Sequence, residues 1–320
     1  GVAILLVVAS HVVNDPEMEP AGSLYPYLNS TFQSVRMPLF TAISGFLYGI
    51  RPVTAGRLGG FLRGKARRIL LPLIVVSTLE YFLSAVLPGV NEPEPLNGIW
   101  KVLLFPYEHF WFLQVVAIIF ALVAVLDHLG WLRRDTVFLP LITLAMLGYL
   151  FFQDLSLGLE IFSLGTVTYL LPFFLLGYAH SARAAWAEYW LRTPIVLLAF
   201  FIAMGVQQLD WFLQMPLDTS KRSVVGLTIA ITSATLLIRH RVDVPGLRVI
   251  GSYAYAIYLY QGFGTAAGRR IVDALGGIPP HLYIIGVVGV AVIFGIIVER
   301  VASRSRLLRV PMLGMRAKVA

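Results

Sequence analysis

The chain of 320 residues contains 58% hydrophobic and only 13% charged residues, and its mean hydropathy is +0.79. Soluble globular proteins carry about 25% charged residues, so this composition excludes a soluble globular domain, a disordered chain and a coiled coil. Cysteine is absent, which excludes a disulfide scaffold, thiolate catalysis and thiolate metal sites.

Apolar segments near the length of about 20 residues that spans a bilayer recur along the chain. In chain order they cover residues 1–13, 32–50, 69–87, 110–126, 136–152, 164–178, 194–209, 224–238, 249–267 and 282–298. The first segment is too short to span and begins without methionine, so we expect an N-terminally trimmed sequence. The pattern predicts an all-α, polytopic integral membrane helical bundle of about ten transmembrane helices, with residues 1–320 forming a single transmembrane domain.

The formal net charge of +8 is distributed unequally between the loops. With both chain ends placed in the cytoplasm, 19 of the 25 Lys and Arg residues lie on the cytoplasmic side. The positive-inside rule therefore predicts cytoplasmic ends and a multi-pass protein of the cell membrane, the bacterial inner membrane, in contact with membrane lipids. Because this pattern explains the charge, no nucleic acid partner is expected. The sequence leaves the oligomeric state open.

Ionisable side chains within apolar spans are costly unless they pair or face water, so they mark candidate sites. His11 ends the first apolar run, and Asp15 or Glu17 in the following loop could hold its imidazole in the tautomer that a general base needs. From the helical rise, His11, Arg36 and Glu80 lie about 16, 22 and 18 Å above the inner face. Such similar depths favour a shared polar cavity. The alternatives are a structural histidine at a helix end, and an Arg36–Glu80 pair or outward snorkelling.

A cluster of six cations between residues 51 and 68 adjoins the cytoplasmic end of the third span. On a regular helix, Arg63, Arg67 and Arg68 would share one side. Such a cluster could bind the phosphates of a nucleotide-containing cofactor. The alternative is that it only sets the topology and contacts anionic lipid headgroups.

Motifs of other chemistries are missing from the sequence. There is no GxGxxG, GxxxxGK[ST], HExxH or GxSxG string, so nucleotide hydrolysis, zinc proteolysis and serine-hydrolase chemistry have no starting point. No metal site is predicted. Four tyrosines in the ninth segment are typical of interfacial or packing positions; they are Tyr253, Tyr255, Tyr258 and Tyr260.

Five strings of this chain resemble the membrane-bound acyltransferase family 3, which includes O-acetyltransferases of sugars and surface polysaccharides. They are AILLVVASHV, MPLFTAISGFLYG, FLRGKARRILLPLI, HFWFLQVVAIIF and GSYAYAIYLYQGF. The resemblance implies that His11 is catalytic, with a basic partner that would precede Gly1. It also links the arginine cluster to the acyl-CoA donor. Members often carry histidine in the last string where this chain has Gln261, so no catalytic role is assigned there.

Residues and resemblance together predict an acyltransferase. It would move an acyl group, from acetyl-CoA or another acyl-CoA, to a hydroxyl of a sugar or glycan acceptor, with His11 as base or acyl carrier. A transporter or flippase of an anionic or lipid-linked solute is the alternative. The candidate residues are His11, Asp15 and Arg36 for catalysis, Arg63, Arg67 and Arg68 for the donor, and Glu80, His109 and Trp111 for the acceptor.

The charge distribution predicts the topology. Because the chain has no native cysteine, single introduced cysteines report sidedness directly. We expect cysteines placed in residues 51–68 and in the C-terminal tail to react only with membrane-permeant maleimide, and cysteines in residues 14–30 to react with the impermeant reagent. Labelling of the tail from outside would contradict the ten-span topology.

Overall fold

The computed structural model describes residues 1–13, 24–54, 56–87, 95–152, 160–240 and 243–316. These residues fold into helices and form no β-strand, which confirms the all-α prediction. The α-helices in chain order are α1 Val2–Val13, α2 Leu24–Phe32, α3 Arg36–Ile50, α4 Leu58–Lys65, α5 Leu71–Val86, α6 Lys101–Leu104, α7 Trp111–His128, α8 Asp135–Phe151, α9 Val167–Ala182, α10 Ala184–Trp190, α11 Thr193–Leu213, α12 Val224–Arg239, α13 Pro245–Ser252, α14 Ala254–Leu275, α15 Pro280–Arg304 and α16 Arg309–Leu313.

Five helical stretches are long and apolar enough to cross a membrane. They are Leu58–Val86, Leu96–His128, Ile161–Ala182, Thr193–Leu213 and Pro280–Arg304. Three shorter helices, α1, α8 and α12, are also apolar. Each of the ten predicted segments overlaps a helix, although the second and the ninth each cross a break between two helices. The chain is therefore a helical membrane protein. The number of ten spans and the position of both ends remain predictions.

The second predicted segment begins differently from the expectation. It was predicted to start at residue 32, but Phe32 ends α2, and the chain turns before α3 starts at Arg36. The Arg36 guanidinium donates hydrogen bonds to the carbonyls of Asn29, at 2.9 Å, and Phe32, at 3.3 Å. The last carbonyls of a helix have no partner within it, and a cation there is favourable. The Arg36 side chain therefore caps the C-terminal end of α2 and fixes the position of α2 relative to α3.

Helices α3 and α9 approach each other closely through glycines. A Cβ atom on Gly45 would overlap the carbonyl of Phe174, and one on Gly177 would overlap the carbonyl of Ala42. Small residues let helix backbones come into direct van der Waals contact, which is a main source of helix association in membranes. This pair forms one part of the core, to which α7 and α12 pack.

Helices α14 and α15 form the second closely packed pair, an antiparallel hairpin. Gly264 and Gly268 of α14 lie against the backbone of Ala291 and Val287 on α15. Helix α1 packs against this hairpin and against α3. It therefore joins the two pairs, and the end of α1 that carries His11 lies among helices from both.

The α14–α15 contact yields a stability prediction. A Cβ atom on Gly264 would lie 2.7 Å from Ala291 Cα, so we expect Gly264→Ala to lower the free energy of unfolding by about 1–3 kcal/mol. Gly289→Ala on α15 is the matched control, because no atom lies within 4 Å of its added Cβ. Gly289→Ala should leave the free energy of unfolding unchanged or raise it by up to about 1 kcal/mol, because alanine has the higher helix propensity. Thermal unfolding in detergent measures both, and equal effects would contradict the role of this contact.

Candidate functional site

The His11 imidazole lies in the last turn of α1 and is exposed. Its ring centroid is 6.1 Å from that of His109, with the ring planes at 72°. The Arg269 guanidinium of α14 donates a hydrogen bond to the His11 carbonyl at 3.4 Å. Arg36 and Arg269 are both close enough to interact electrostatically with the imidazole. The arrangement thus places an accessible imidazole between a second histidine and two cations.

His109 lies in the short turn that precedes α7 and is buried. Its carbonyl accepts a hydrogen bond from the Tyr258 hydroxyl, and its ring packs edge-on against the Tyr258 ring at 5.3 Å. The preceding residue, Glu108, has a left-handed φ of 43°, a conformation that non-glycine residues rarely adopt and that concentrates at functional sites. The backbone carbonyls of Tyr258 and Leu259 lie near the ring, but Nε2 makes no hydrogen bond of normal geometry with the described residues.

Glu80 on α5 faces α14 at Gly262. A Cβ atom on Gly262 would lie 2.5 Å from Glu80 Oε1, so a larger residue there would displace this carboxyl group. Glu80 Oε2 is buried and has no hydrogen-bond partner within the described residues. The same holds for both side-chain polar atoms of Gln261, which is fully buried. Because buried polar atoms are almost always paired, this cluster has the character of a site that a polar ligand or water completes.

The structure brings together some of the predicted site residues. Arg36 and His109 lie beside His11, and Glu80 joins them through its electrostatic contact with Tyr258. Arg36 and Glu80 form no ion pair in the part of the chain described, so the pairing alternative does not hold. Trp111, at the start of α7, contacts the Phe112 ring at 6.1 Å.

The acidic partners proposed for His11 are not addressed by the structure. Asp15 and Glu17 lie outside the described residues. Their role in orienting the imidazole stays a prediction.

The arginine cluster departs from the predicted regular helix. A π-helical turn, Ala66–Leu70, joins α4 to α5, so Arg67 and Arg68 lie in this turn while Arg63 lies on α4. Arg63 is exposed. Arg67 Nε donates a hydrogen bond to the Gly314 carbonyl at 3.3 Å, and the Arg68 guanidinium lies 5.5 Å from the Tyr255 ring. The three arginines thus have separate surroundings at one end of the bundle.

A proline accounts for the hydrogen bond between this π-helical turn and α14. Pro72 has no N–H, so the Arg68 carbonyl cannot receive the usual helical hydrogen bond. The Tyr255 hydroxyl of α14 donates to that carbonyl instead. In the same turn the Leu71 N–H donates to the Ala66 carbonyl five residues earlier. A tertiary hydrogen bond therefore replaces a helical one beside the arginine cluster.

A second buried polar group lies near the same end of the bundle. The Asp127 carboxylate, 2% exposed, accepts hydrogen bonds from the hydroxyls of Tyr48, at 3.0 Å, and Tyr178, at 3.3 Å. Nearby, Lys65 Nζ lies 3.3 Å from the centroid of the Phe120 ring. These contacts join α4 to α3, α7 and α9. They hold the helix that carries Arg63 in place against the bundle.

Two open surface depressions lie away from this site. One of about 500 Å³ is lined by residues that include Arg183 and Trp186, and another of about 430 Å³ by residues that include Gln207 and Trp211. The first lies where α8, α9 and α10 meet, beside the ion pair of Arg183 with Asp135. Neither of these two depressions is lined by His11, His109, Glu80 or Gln261.

Three residues near His11 and Glu80 are not among the candidates that the sequence predicts. The sequence indicates an interfacial or packing position for Tyr258, no role for Gln261 and only a loop charge for Arg269. They recur at intervals of three and eight residues, so they share one face of α14. This polar stripe in an otherwise apolar helix was the available signal.

The fold and the site together define a helical membrane protein with an accessible imidazole and unpaired polar groups inside its bundle. A family model described as an acyltransferase domain, Acyl_transf_3, matches residues 1–300. The chain therefore belongs to this family of membrane acyltransferases. Searches of curated proteins and of solved structures gave no match.

Proposed function

We propose that the protein transfers an acyl group, acetyl in the simplest case, from acyl-CoA to a hydroxyl of a sugar or glycan. The observation that carries this proposal is the exposed His11 imidazole, with His109 at 6.1 Å and with Arg36 and Arg269 within electrostatic range. A membrane acyltransferase needs a base or nucleophile, an oxyanion partner and an acceptor pocket in one place. The residues around His11 supply side chains suited to each role.

The donor binds at the arginine cluster in this proposal. Coenzyme A carries several phosphates, and guanidinium groups bind phosphates through charge-assisted hydrogen bonds. Arg63 is exposed, while contacts with Gly314 and Tyr255 hold Arg67 and Arg68 at the end of the bundle. The pantetheine arm then extends into the bundle, carrying the thioester toward His11.

Transfer requires a proton to leave the acceptor hydroxyl. His11 takes this proton as the hydroxyl oxygen attacks the thioester carbonyl, and the tetrahedral oxyanion collapses with release of the CoA thiolate. Arg36 and Arg269 stabilise the negative charge that develops on the carbonyl oxygen. In the covalent variant, the His11 imidazole attacks the thioester carbonyl and the CoA thiolate leaves. The acceptor hydroxyl then attacks the acyl-imidazole, and its proton goes to the imidazole that the acyl group leaves.

The acceptor occupies the unpaired polar cluster in this proposal. Glu80, Gln261 and His109 offer acceptors and donors of hydrogen bonds that match the hydroxyls of a sugar. Trp111 follows His109 by two residues, at the start of α7. A transporter would use the same buried charges. Family membership favours transfer over transport, and release of free CoA distinguishes the two experimentally.

Donor binding is tested by replacing Arg63, Arg67 and Arg68 with Gln. Since each charge-assisted hydrogen bond contributes about 1.5–3 kcal/mol, we expect the triple variant to weaken CoA binding by about two orders of magnitude or more. Arg306→Gln is the control, because Arg306 is exposed and belongs to the same cationic end. Calorimetric titration of purified protein with CoA measures both. Wild-type affinity in the folded triple variant would leave the cluster with a topological role alone.

The role of His11 is tested by His11→Ala and His11→Gln. Loss of a general base lowers rates by about 10² to 10⁴, so both variants should lose acyl transfer while keeping insertion, thermal stability and CoA binding. Glutamine preserves hydrogen bonding but cannot take up a proton. Labelled acyl-CoA and release of CoA provide the rate. If the Gln variant retains more than about a tenth of the wild-type turnover, His11 is not the base.

A further inference from the structure

A polar depression lies between α2, α11 and the loop that follows α11. Its volume is about 430 Å³, a size typical of small-ligand pockets, which measure about 300–1,000 Å³. Its described lining includes neither Lys nor Arg. The side chains that give it a polar and aromatic character are those of Ser30, Gln207, Asp210, Trp211, Gln214 and Thr219.

Gln207 is the buried polar group of this depression and is only 3% exposed. Its Nε2 donates a hydrogen bond to the Ser30 carbonyl at 3.1 Å, which fixes the amide against α2. The other polar atom, Oε1, is buried and has no hydrogen-bond partner within the described residues. Because buried polar atoms are almost always paired, Gln207 Oε1 offers an acceptor position that the hydroxyl of a ligand would complete.

Trp211 supplies an aromatic surface in the same depression. Its ring packs against the Tyr27 ring of α2, with centroids 5.7 Å apart, yet the residue is 36% exposed. A ring held by such a contact loses little conformational entropy when a ligand packs on it. The C–H face of a sugar ring is apolar and flat enough to pack on an indole, while its hydroxyls need polar groups close by.

The loop after α11 holds polar groups around Trp211. Asp210 accepts a hydrogen bond from the Thr219 hydroxyl at 2.6 Å, and a carboxylate can accept several more. Gln214 has a left-handed φ of 50°, and its Nε2 donates to the Trp211 carbonyl at 2.8 Å. Non-glycine residues rarely adopt this conformation, which concentrates at functional sites. The loop therefore folds back on the end of α11 and keeps these groups in place.

The chemistry of these groups selects the kind of ligand. Sugar hydroxyls both donate and accept hydrogen bonds, and carboxylate and carboxamide groups match them. A carboxylate without a cation in the described lining disfavours an anionic ligand, because like charges repel. An aromatic ring beside a carboxylate and two carboxamides thus favours a neutral sugar over a phosphate, a nucleotide or an acyl chain.

We propose that this depression binds a neutral sugar ring of the acceptor glycan, at a distance from the hydroxyl that reacts. The inference rests on the proposed function and extends it, since it makes the acceptor an oligosaccharide or polysaccharide. Helix α2 links the two places: it packs against α1, which carries His11, and against α11, which carries Gln207 and Trp211. A glycan of several sugars contacts both places in this proposal, and the sugar in the depression helps to hold the reacting sugar near His11.

The experiment measures sugar binding without acyl-CoA. Purified protein is placed in phosphatidylcholine nanodiscs, free of the glycoside detergents that would compete for a sugar site. Saturation-transfer NMR, which detects weak binding, follows titration with the neutral trisaccharides maltotriose, cellotriose and triacetylchitotriose. We expect at least one of them to bind. Asp210→Asn should weaken this binding about tenfold, as expected for loss of a hydrogen bond to a charged group, and Trp211→Ala should abolish it. Asparagine keeps an oxygen for the Thr219 hydroxyl, so the loop stays in place.

Phe212→Ala is the matched control. Phe212 also packs against Tyr27, at 5.6 Å, but is not among the residues that line the depression, so its loss should leave trisaccharide binding unchanged. The proposal is overturned if none of the trisaccharides binds, if both folded lining variants bind as the wild type does, or if Phe212→Ala weakens binding as much as they do. It is also overturned if no trisaccharide binds but phosphatidylethanolamine is enriched in mixed nanodiscs through Asp210, which assigns the depression to a lipid headgroup.

These readouts are independent of the proposed transfer reaction. If His11→Gln retains acyl transfer while a trisaccharide binds through Trp211, the catalytic proposal fails and the sugar site stands. If His11→Gln abolishes transfer while no trisaccharide binds, the sugar site fails and the catalytic proposal stands.

Discussion

A polar side chain inside an apolar bundle costs several kcal/mol of free energy unless another group satisfies it. This constraint accounts for most polar contacts of the structure: Asp127 receives two tyrosine hydroxyls, Arg36 caps α2, and the Arg68 carbonyl that Pro72 leaves free receives Tyr255. Glu80, His109 and Gln261 are among the residues whose buried polar atoms have no hydrogen-bond partner within the described residues. Of these three residues, His109 lies 6.1 Å from His11 between ring centroids, which is why the acceptor is proposed to bind in this region.

The apolar pattern was sufficient to predict the main helices, because an apolar run of spanning length has few alternatives to a membrane helix. It did not predict α2, whose segment LYPYLNSTF mixes apolar and polar residues and packs only in the context of α1 and α11. Nor did it predict the π-helical turn before α5. That turn depends on Pro72 and on a hydroxyl from α14, a partner nearly 190 positions away that no local pattern contains.

Residues of the candidate site that stand out singly in the sequence could be predicted. Residues that matter only through contacts between helices could not. His11, Arg36 and Glu80 stood out as charges in apolar spans, and their similar helical depths suggested one shared region. Tyr258 and Gln261 did not stand out, since neither is charged. Their importance follows from what α14 faces. That depends on the close approach of α14 to α15 and α5, which Gly264 and Gly262 permit.

Helix α14 is uninterrupted and contacts both the turn of the arginine cluster and the region of His11. Tyr255 holds the turn of the arginine cluster, Gly262 accommodates Glu80, and Arg269 bonds to the backbone of His11. Each added residue in a helix rotates everything beyond it by about 100° and shifts it by about 1.5 Å. A single insertion or deletion between Tyr255 and Arg269 would therefore turn one set of contacts away from its partners. The chain can vary in side chains along this stretch, but its residue count there is fixed by geometry.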